Sequence, residues 1–235
     1  MTAALLAECV GKSFAGRPVL ASASLRADGG GITALVGRNG IGKSTLLKIA
    51  AGWMRPDYGT VHYKGRCRIP ARLHRLAWEG LFYLPDRDLL SPGFTVRQHL
   101  TSGQRRWGRG RFDAAADATG IQDTLDRRPP ALSTGQRRCV ELALVLLRRP
   151  DCLLADEPYR GLAPLERDMV SAVLRRLAAD GCGVVVTGHE VPTLFGVADR
   201  VVWCTDGTTH DLGTPAAAAA DWRFRREYLG LLQWA

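Results

Sequence analysis

A glycine-rich stretch near the N-terminus carries the clearest chemical pattern in the sequence. Residues 37–45 read GRNGIGKST and fit the pattern G-x-x-x-x-G-K-[ST]. Glycines in such a loop let backbone amides converge on a phosphate, and a following helix adds the positive end of its dipole. An apolar run precedes the loop and a helical pattern follows it. The pattern predicts that a triphosphate is bound by Gly37, Asn39, Gly40, Gly42, Lys43, Ser44 and Thr45.

Two acids form the second chemical constellation, because they end an apolar run. The run at 152–155 reads CLLA and is followed by Asp156 and Glu157. A carboxylate at the end of a buried strand is costly unless a cation or hydrogen-bond donors compensate it. We predict that Asp156 and the Ser44 hydroxyl hold Mg²⁺, and that Glu157 is the general base that polarises an attacking water.

A histidine follows the next apolar run of the chain. His189 stands shortly after residues 184–186. A histidine in such a place is often a structural residue. Because His189 follows a phosphate loop and an acid pair along the chain, it can instead donate to a γ-phosphate and hold the attacking water. The sequence therefore predicts a catalytic group of Lys43, Glu157 and His189, in which Lys43 neutralises β- and γ-phosphate oxygens.

A second candidate anion cradle lies at residues 132–136, which read LSTGQ. Ser133 offers a hydroxyl, Gly135 offers bare backbone, and a helix beginning near Gln136 offers its positive dipole end. A second γ-phosphate cradle on one chain is useful if two chains meet head to tail and each completes the other's site. The pattern predicts a dimer in which ATP lies between the protomers and hydrolysis releases them.

Together and in this order, the motifs resemble those of the nucleotide-binding subunits of ABC transporters along nearly the whole chain. Residues 132–136 are similar to the signature L-S-G-G-Q, with Thr134 in place of the first glycine. Within the family the chain looks most similar to the ATPases of the lipopolysaccharide exporter and of branched-chain amino-acid importers. That similarity rests on QRRCVELA at 136–143, DEPYRGL at 156–162 and REYLG at 226–230.

The resemblance implies an α/β P-loop NTPase of RecA-like fold, with ATP and Mg²⁺ as cofactors and with hydrolysis that powers transport. The implied partners are integral membrane transporter subunits and either a second copy or a second ABC ATPase, giving a homodimer or a heterodimer. The resemblance also implies that Phe14, which lies 23 residues before Gly37, stacks on adenine. A core phenylalanine is the alternative for that residue.

Two positions depart from the family pattern. Asp86 follows the apolar run at 81–84, where the family has a glutamine that touches Mg²⁺ and the attacking water. A carboxylate can bind the metal more tightly but cannot donate a hydrogen bond, so Asp86 is predicted to be a metal ligand with altered coupling or rate. Ala163 replaces an aspartate that makes a polar contact across the dimer. These departures predict a functional but atypical and slow ATPase.

The elements that position these residues follow from short apolar runs and turn signals. Residues 1–31 alternate apolar runs with glycine-containing turns and predict antiparallel strands. Further apolar runs alternate with helical patterns and predict a mainly parallel sheet covered on both faces; they lie at 32–36, 152–155, 184–186 and 201–204. We predict one domain over residues 1–235, with a helical subdomain inserted at about 88–150 and a C-terminal helix at about 215–233.

Composition narrows the class of partner and the location. The chain has 235 residues and a net charge of +9, with arginine-rich segments at 105–111 and 223–226. These segments predict either a solvated surface or contact with an anionic lipid surface. No run approaches the ~18 apolar residues of a transmembrane helix, and residues 1–10 do not fit a signal peptide. We expect a cytoplasmic protein, peripheral on the cytoplasmic face of the cell membrane, with reduced cysteines.

Other ATPase classes fit the sequence less well. The alternative function is a non-transport ABC ATPase that acts on nucleic acid or in assembly. Chromosome-type members need a very long insertion between phosphate loop and signature, whereas Lys43 and Ser133 are only 90 residues apart. Translation-type members carry two cassettes, and this chain has one. An unrelated P-loop kinase or GTPase is disfavoured by residues 132–136. Nucleic acid is therefore not an expected partner.

Overall fold

The computed structural model describes residues 3–68, 71–87, 89–107 and 110–230. Its N-terminal part is antiparallel, as predicted. The central strand of this part is β1 (Ala3–Phe14), which forms a hairpin with β2 (Arg17–Asp28) and pairs on its other side with β4 (Tyr58–Tyr63). A short edge strand, β5 (Arg66–Cys67), completes it.

The parallel part of the sheet carries the candidate site. Its strands, in sheet order, are β9 (Arg200–Thr205), β3 (Ile32–Val36), β8 (Gly183–Gly188), β7 (Cys152–Ala155) and β6 (Leu81–Leu84), each parallel to its neighbours. Every residue of β3, β7 and β8 is buried, as expected for apolar runs covered on both faces. Parallel strands end at one edge of a sheet, so the polar residues that follow β3, β7 and β8 lie close together.

One further strand joins the two parts into a single sheet of ten strands. Strand β10 (Thr208–Gly213) is antiparallel to β9 and pairs with β2 through Thr208 and Ser22. The mainly parallel α/β sheet with an antiparallel N-terminal part, predicted from the apolar runs, is thereby confirmed.

Helices cover both faces of the sheet and bury two separate apolar clusters. Side chains of β3 alternate between them, with Ala34 in one and Leu35 in the other, because successive strand residues point to opposite faces. Helix α1 (Lys43–Ala50) covers the face that the antiparallel strands share. Helix α6 (Pro164–Ala179) covers the other face. The shorter α2 (Leu73–Trp78) and α7 (Val191–Phe195) follow β5 and β8 in the chain.

Three helices lie within the range of about 88–150 that the sequence predicts as an inserted helical subdomain. They are α3 (Val96–Trp107), α4 (Phe112–Thr119) and α5 (Thr134–Arg148), and each packs on the other two. Residues 88, 108 and 109 of that range lie outside the described residues. Among the residues that are described, no helix combines the length and the apolar character needed to cross a membrane.

The single C-terminal helix predicted over about 215–233 is interrupted in the structure. Helix α8 (Pro215–Ala220) ends where Asp221 is extended, with φ −65° and ψ 119°, and its carboxylate accepts a hydrogen bond from the Phe224 amide at 2.7 Å. A new helical segment, α9 (Trp222–Phe224), begins there and continues into a π-helical turn, Arg225–Leu229. The prediction failed because an aspartate that caps a new helix must itself leave the old one. Residues 231–233 lie outside the described residues.

Candidate nucleotide site

The phosphate loop runs from the end of β3 to the start of α1, and its conformation needs glycine. Gly42 is the residue before α1 and has φ 111°, a left-handed value that favours glycine. A Cβ atom there would lie 2.8 Å from the Leu20 side chain, and one on Gly37 would lie 2.5 Å from the Cys204 carbonyl oxygen. Close packing at these two glycines therefore fixes the path of the loop, which ends at a helix N-terminus as a phosphate-binding loop requires.

The Lys43 ammonium group is held inside this loop. Its Nζ donates to the carbonyl oxygens of Gly37 at 2.7 Å and Arg38 at 3.0 Å, and lies 4.0 Å from the Glu157 carboxylate. Burial lowers the pKa of Lys43, whereas the negative charge of Glu157 acts in the opposite direction. A buried ammonium held largely by neutral carbonyls can gain strongly from a phosphate oxygen.

The Asp156 carboxylate collects three hydroxyl groups at the end of β7. Ser44 donates to its Oδ1 at 3.0 Å and Thr187 to the same oxygen at 2.8 Å. Tyr83 donates to its Oδ2 at 3.3 Å, and burial raises the pKa of this tyrosine, so the hydroxyl keeps its proton. Asp156 itself is only 2% exposed.

These oxygen atoms fit a magnesium ion. Mg²⁺ prefers hard oxygen ligands and is commonly held by one or two protein groups together with phosphate oxygens. The Ser44 hydroxyl and the Asp156 carboxylate already lie in contact beside the phosphate loop. They are the two groups that would hold the ion.

Glu157 and His189 form the next pair along the sheet edge. The Nδ1 atom of His189 lies 3.1 Å from Oε2 of Glu157. Glu157 has φ 48°, which is strained for a residue with a side chain, and its amide is tied to the Thr187 hydroxyl at 2.8 Å. A strained backbone that neighbouring strands hold in place aims the carboxylate into the cavity.

One cavity of about 390 Å³ collects these groups. The residues that line it come from the phosphate loop, the loops after β6 and β7, and the end of β8: Asn39, Gly40, Gly42, Lys43, Ser44, Thr45, Asp86, Glu157, Arg160 and His189. The structure therefore brings to one place the predicted catalytic residues, the predicted metal ligands Ser44 and Asp86, and the predicted phosphate-loop residues other than Gly37. Asp156 lies beneath, in contact with Ser44.

The signature segment lies outside this cavity. Ser133 caps α5: its hydroxyl accepts from the Gln136 amide at 3.1 Å, while the Gln136 side chain accepts from the Ser133 amide at 3.1 Å. The helix begins at Thr134, two residues before the position predicted from Gln136. Gly135 packs under α6, because a Cβ atom there would lie 1.6 Å from Oε1 of Glu166.

Phe14 is the predicted site residue with the least support from its surroundings. It ends β1, is 44% exposed, and lies under Lys12, whose Nζ is 5.8 Å from the ring centroid. The ring is not among the residues that line the 390 Å³ cavity. Its exposure excludes the alternative of a core phenylalanine, and stacking on adenine stays a prediction.

Sequence reasoning missed several residues at the site. Tyr83 and Thr187 bind Asp156 from the two strands beside β7, and a polar residue near the end of a buried strand was the available signal. The C-terminal turn also reaches the phosphate loop. Arg38 donates to the Glu227 carbonyl at 2.8 Å, and the Tyr228 hydroxyl donates to the Gly37 carbonyl at 3.4 Å. No sequence pattern pointed to that contact.

Comparisons with known proteins point to one family. A family model described as ABC transporter matches residues 20–160. The lipopolysaccharide export system ATP-binding protein LptB of Haemophilus influenzae is 31% identical over 236 residues, which cover 96% of this chain and 97% of the relative. A probable ABC transporter ATP-binding protein of Azorhizobium caulinodans is 32% identical over 225 residues, 93% of this chain and 80% of the relative.

The fold has close solved counterparts. An ATP-binding cassette of an ABC transporter, solved in its ADP conformation, superimposes with a TM-score of 0.84 at 20% sequence identity and covers 98% of this chain and 100% of that chain. A nucleotide-free cassette gives a TM-score of 0.83, also at 20% identity, and covers 98% of this chain and 96% of that chain. At these identities the likeness concerns the fold.

Proposed function

The chain belongs to the ABC transporter family, and we propose that it is the subunit that binds ATP with Mg²⁺ and hydrolyses it to power a membrane transporter. The observation that carries this proposal is the grouping of Lys43, the Ser44–Asp156 contact and the Glu157–His189 pair around one cavity. Phosphoryl transfer to water needs a cation that binds phosphate, a metal site and a base, and these groups supply all three.

The proposed chemistry follows from the contacts of these side chains. Lys43 would exchange its carbonyl partners for β- and γ-phosphate oxygens. Bound Mg²⁺ would neutralise phosphate charge. The Glu157 carboxylate accepts the proton of the attacking water. His189 orients this carboxylate through its Nδ1 atom. Donation from His189 to the γ-phosphate and stacking of Phe14 on adenine remain predictions.

A head-to-tail dimer is the proposed working form. Ser133 is exposed and, with Gly135 and Gln136, lies outside the cavity of its own chain. An exposed helix N-terminus with a serine cap is suited to binding an anion brought by another molecule. We propose that this signature segment completes the cavity of a partner, either a second copy or a second ABC ATPase.

The proposed membrane partner docks where the inserted subdomain meets the sheet. A cavity of about 440 Å³ lies between α2, β6 and α3, and Phe82, Trp107 and Arg148 are among the residues that line it. Tyr83 lines the same cavity and donates to Asp156, so a helix seated there touches a residue that binds the proposed metal ligand. This position would place the protein on the cytoplasmic face of the membrane, with arginines of α3 near anionic lipid headgroups.

The hydrolysis test removes the proposed base. Glu157→Gln keeps the shape of the side chain but cannot accept the proton, so kcat should fall by at least about a hundredfold while ATP still binds. Glu79→Gln is the matched control, because Glu79 is half-buried and pairs with Arg68 away from the cavity. Equal hydrolysis by the Glu157→Gln variant and the unaltered protein would refute the catalytic assignment.

The partner test separates transport from the alternative function. A transporter subunit should co-purify with an integral membrane protein from detergent-solubilised membranes, and Phe82→Glu in the proposed docking cavity should abolish the association. Binding to DNA or RNA with a steep dependence on salt, in the absence of a membrane partner, would favour the non-transport alternative.

A further inference from the structure

An ion pair at the edge of the proposed nucleotide cavity has no role in the mechanism so far. Oδ2 of Asp86 lies 3.1 Å from Nη1 of Arg160, and both residues line the cavity that contains the phosphate loop and Glu157. Asp86 stands where the family pattern has a neutral glutamine. The charges of Asp86 and Arg160 cancel. The pair is therefore neutral, as a glutamine would be, whereas Asp86 alone would carry a negative charge.

Both partners are held by their backbones. The buried Arg138 guanidinium on α5 donates to the carbonyl oxygens of Pro85 at 3.2 Å and Asp86 at 2.8 Å, and Glu141 holds it in turn at 2.8 Å. The Arg160 amide donates to the Glu157 carbonyl at 3.1 Å, in the turn that follows the acid pair. Two separate loops therefore hold the backbones of Asp86 and Arg160 beside the cavity, and the side chains meet between them.

A second arginine beside Asp86 does not serve the same purpose. Nε of Arg87 lies 3.3 Å from the same carboxylate oxygen, but the Arg87 side chain is 63% exposed and does not line the nucleotide cavity. The Arg160 side chain is similarly exposed, at 54%, so the two arginines differ in that Arg160 lines the cavity and Arg87 does not. Arg160 is the partner whose charge faces the place where a triphosphate would lie.

We propose that Arg160 is a positioning residue that pairs with Asp86 and holds its carboxylate away from the Ser44–Asp156 metal site, so that the cavity accepts a nucleoside triphosphate without added repulsion. The inference rests on the proposed nucleotide site. Without Arg160, the Asp86 carboxylate repels the phosphates and turns towards any divalent cation bound with them. Without Asp86, Arg160 becomes free to attract the phosphates directly.

The test is a double-mutant cycle on nucleotide affinity, measured with a fluorescent, non-hydrolysable ATP analogue in EDTA and again in Mg²⁺. In EDTA, Arg160→Ser should weaken binding by about tenfold, because an unpaired carboxylate then faces the phosphates. In Mg²⁺ the loss should shrink to about threefold or less, since the metal screens the carboxylate. Asp86→Asn should change affinity in the opposite direction.

The double variant and two controls decide the outcome. In the Asp86→Asn background, Arg160→Ser should weaken binding in EDTA by no more than about threefold, against about tenfold in the unaltered protein, because no carboxylate remains for Arg160 to hold. Arg160→Lys should recover most of the affinity in EDTA. Arg87→Ser, the matched control, should change affinity by less than about twofold.

Each failure points to a different error. If the unaltered protein binds no nucleotide, the proposed function itself is wrong. If it binds normally but Arg160→Ser also weakens binding by about tenfold in the Asp86→Asn background, or Arg87→Ser matches Arg160→Ser, then Arg160 does not act through Asp86 and this inference is overturned.

Discussion

The phosphate-loop region and the signature region use similar chemistry but have different relations to the rest of the chain. Around the phosphate loop, Lys43, Glu157 and His189 come from three loops of one chain and face a common cavity. In the signature region, Ser133 and Gln136 bind each other in a capping box and face no cavity of the phosphate loop. One region groups its polar side chains around a cavity, whereas the other is a capped helix end that, under the proposed function, completes its site only with a second molecule.

The difference suggests how a mechanical ATPase separates binding from hydrolysis. In the proposed mechanism a single chain holds the groups that bind the triphosphate and position the base, so we expect ATP to bind to the monomer. The capping box already orders the start of the signature helix, so the proposed dimer would not have to order that helix end. Substitutions in the two regions should therefore have separable effects, and the following predictions exploit that separation.

The largest effect is expected from Lys43→Ala. Removing a buried charge that faces the phosphates should weaken ATP binding to the isolated chain by about a hundredfold. Titration with a fluorescent ATP analogue measures this directly. Lys48→Ala, at the last turn of the same helix, serves as the control and should bind normally. Unchanged affinity in the Lys43→Ala variant would contradict the placement of the triphosphate.

A smaller but more selective effect is expected from Ser133→Ala. Loss of the cap costs about 1 kcal/mol of stability, and loss of the hydroxyl offered to a partner's nucleotide should lower kcat by about tenfold or more. ATP binding to the monomer should stay within about twofold, since Ser133 is outside that cavity.

The chain offers a matched control for this substitution. Thr95 and Gln98 form the same capping box at the start of α3, with hydrogen bonds of 2.8 and 3.2 Å. Thr95→Ala should lose similar stability in thermal unfolding but keep its hydrolysis rate. If both variants lose hydrolysis equally, Ser133 acts only through the stability of its helix.

The effect of Gly135→Ala on stability is expected to change sign when Glu166 is removed. Alanine there would force away the Glu166 carboxylate, which accepts from the Ala163 amide at 2.8 Å, and should destabilise the fold by about 1 kcal/mol. In a Glu166→Ala background the obstacle is gone, so the same alanine should stabilise the helix by up to about 1 kcal/mol. Chemical denaturation of the four variants measures both values. The same sign in both backgrounds would show that Gly135 is not packed against Glu166.

The smallest effect is expected from the C-terminal contact with the phosphate loop. Burial raises the pKa of Tyr228, so its hydroxyl keeps the proton that it donates to the Gly37 carbonyl at 3.4 Å. Because this hydrogen bond is long, Tyr228→Phe should change ATP affinity by no more than about threefold. A loss beyond about tenfold in the same titration would mean that the C-terminal turn organises the loop.

The two regions also differ in how far the sequence predicts them. The phosphate loop and the acid pair follow short apolar strands, so local pattern alone places them at one sheet edge. Tyr83 and Thr187 escaped notice because their contact with Asp156 depends on strand order, which joins residues 73 and 31 positions apart. The Asp86–Arg160 pair is likewise a long-range contact, 74 positions apart.

The errors at the helix ends have a local physical cause. Asp221 follows an alanine-rich run that favours helix. Whether it continues that helix or caps the next segment depends on where the chain turns in the fold. The signature helix starts at Thr134 because the side chains of Ser133 and Gln136 each accept from the other's amide. This capping box places the first helical residue two positions N-terminal to Gln136. Helix ends of this kind depend on a few hydrogen bonds, whereas strand positions depend on whole apolar runs.

Cross-linking between two copies is the most direct test of the central claim, that the signature segment of one chain meets the phosphate loop of another around ATP. Two variants would carry Asn39→Cys and Ser133→Cys separately, each with Glu157→Gln to retain ATP and with the exposed Cys9 and Cys67 replaced by serine. Mixed with ATP and Mg²⁺ under mild oxidation, they should form a disulfide-linked dimer that neither variant forms alone and that disappears without nucleotide. No cross-link in the mixture, although both variants bind ATP, would contradict a homodimer built in this way.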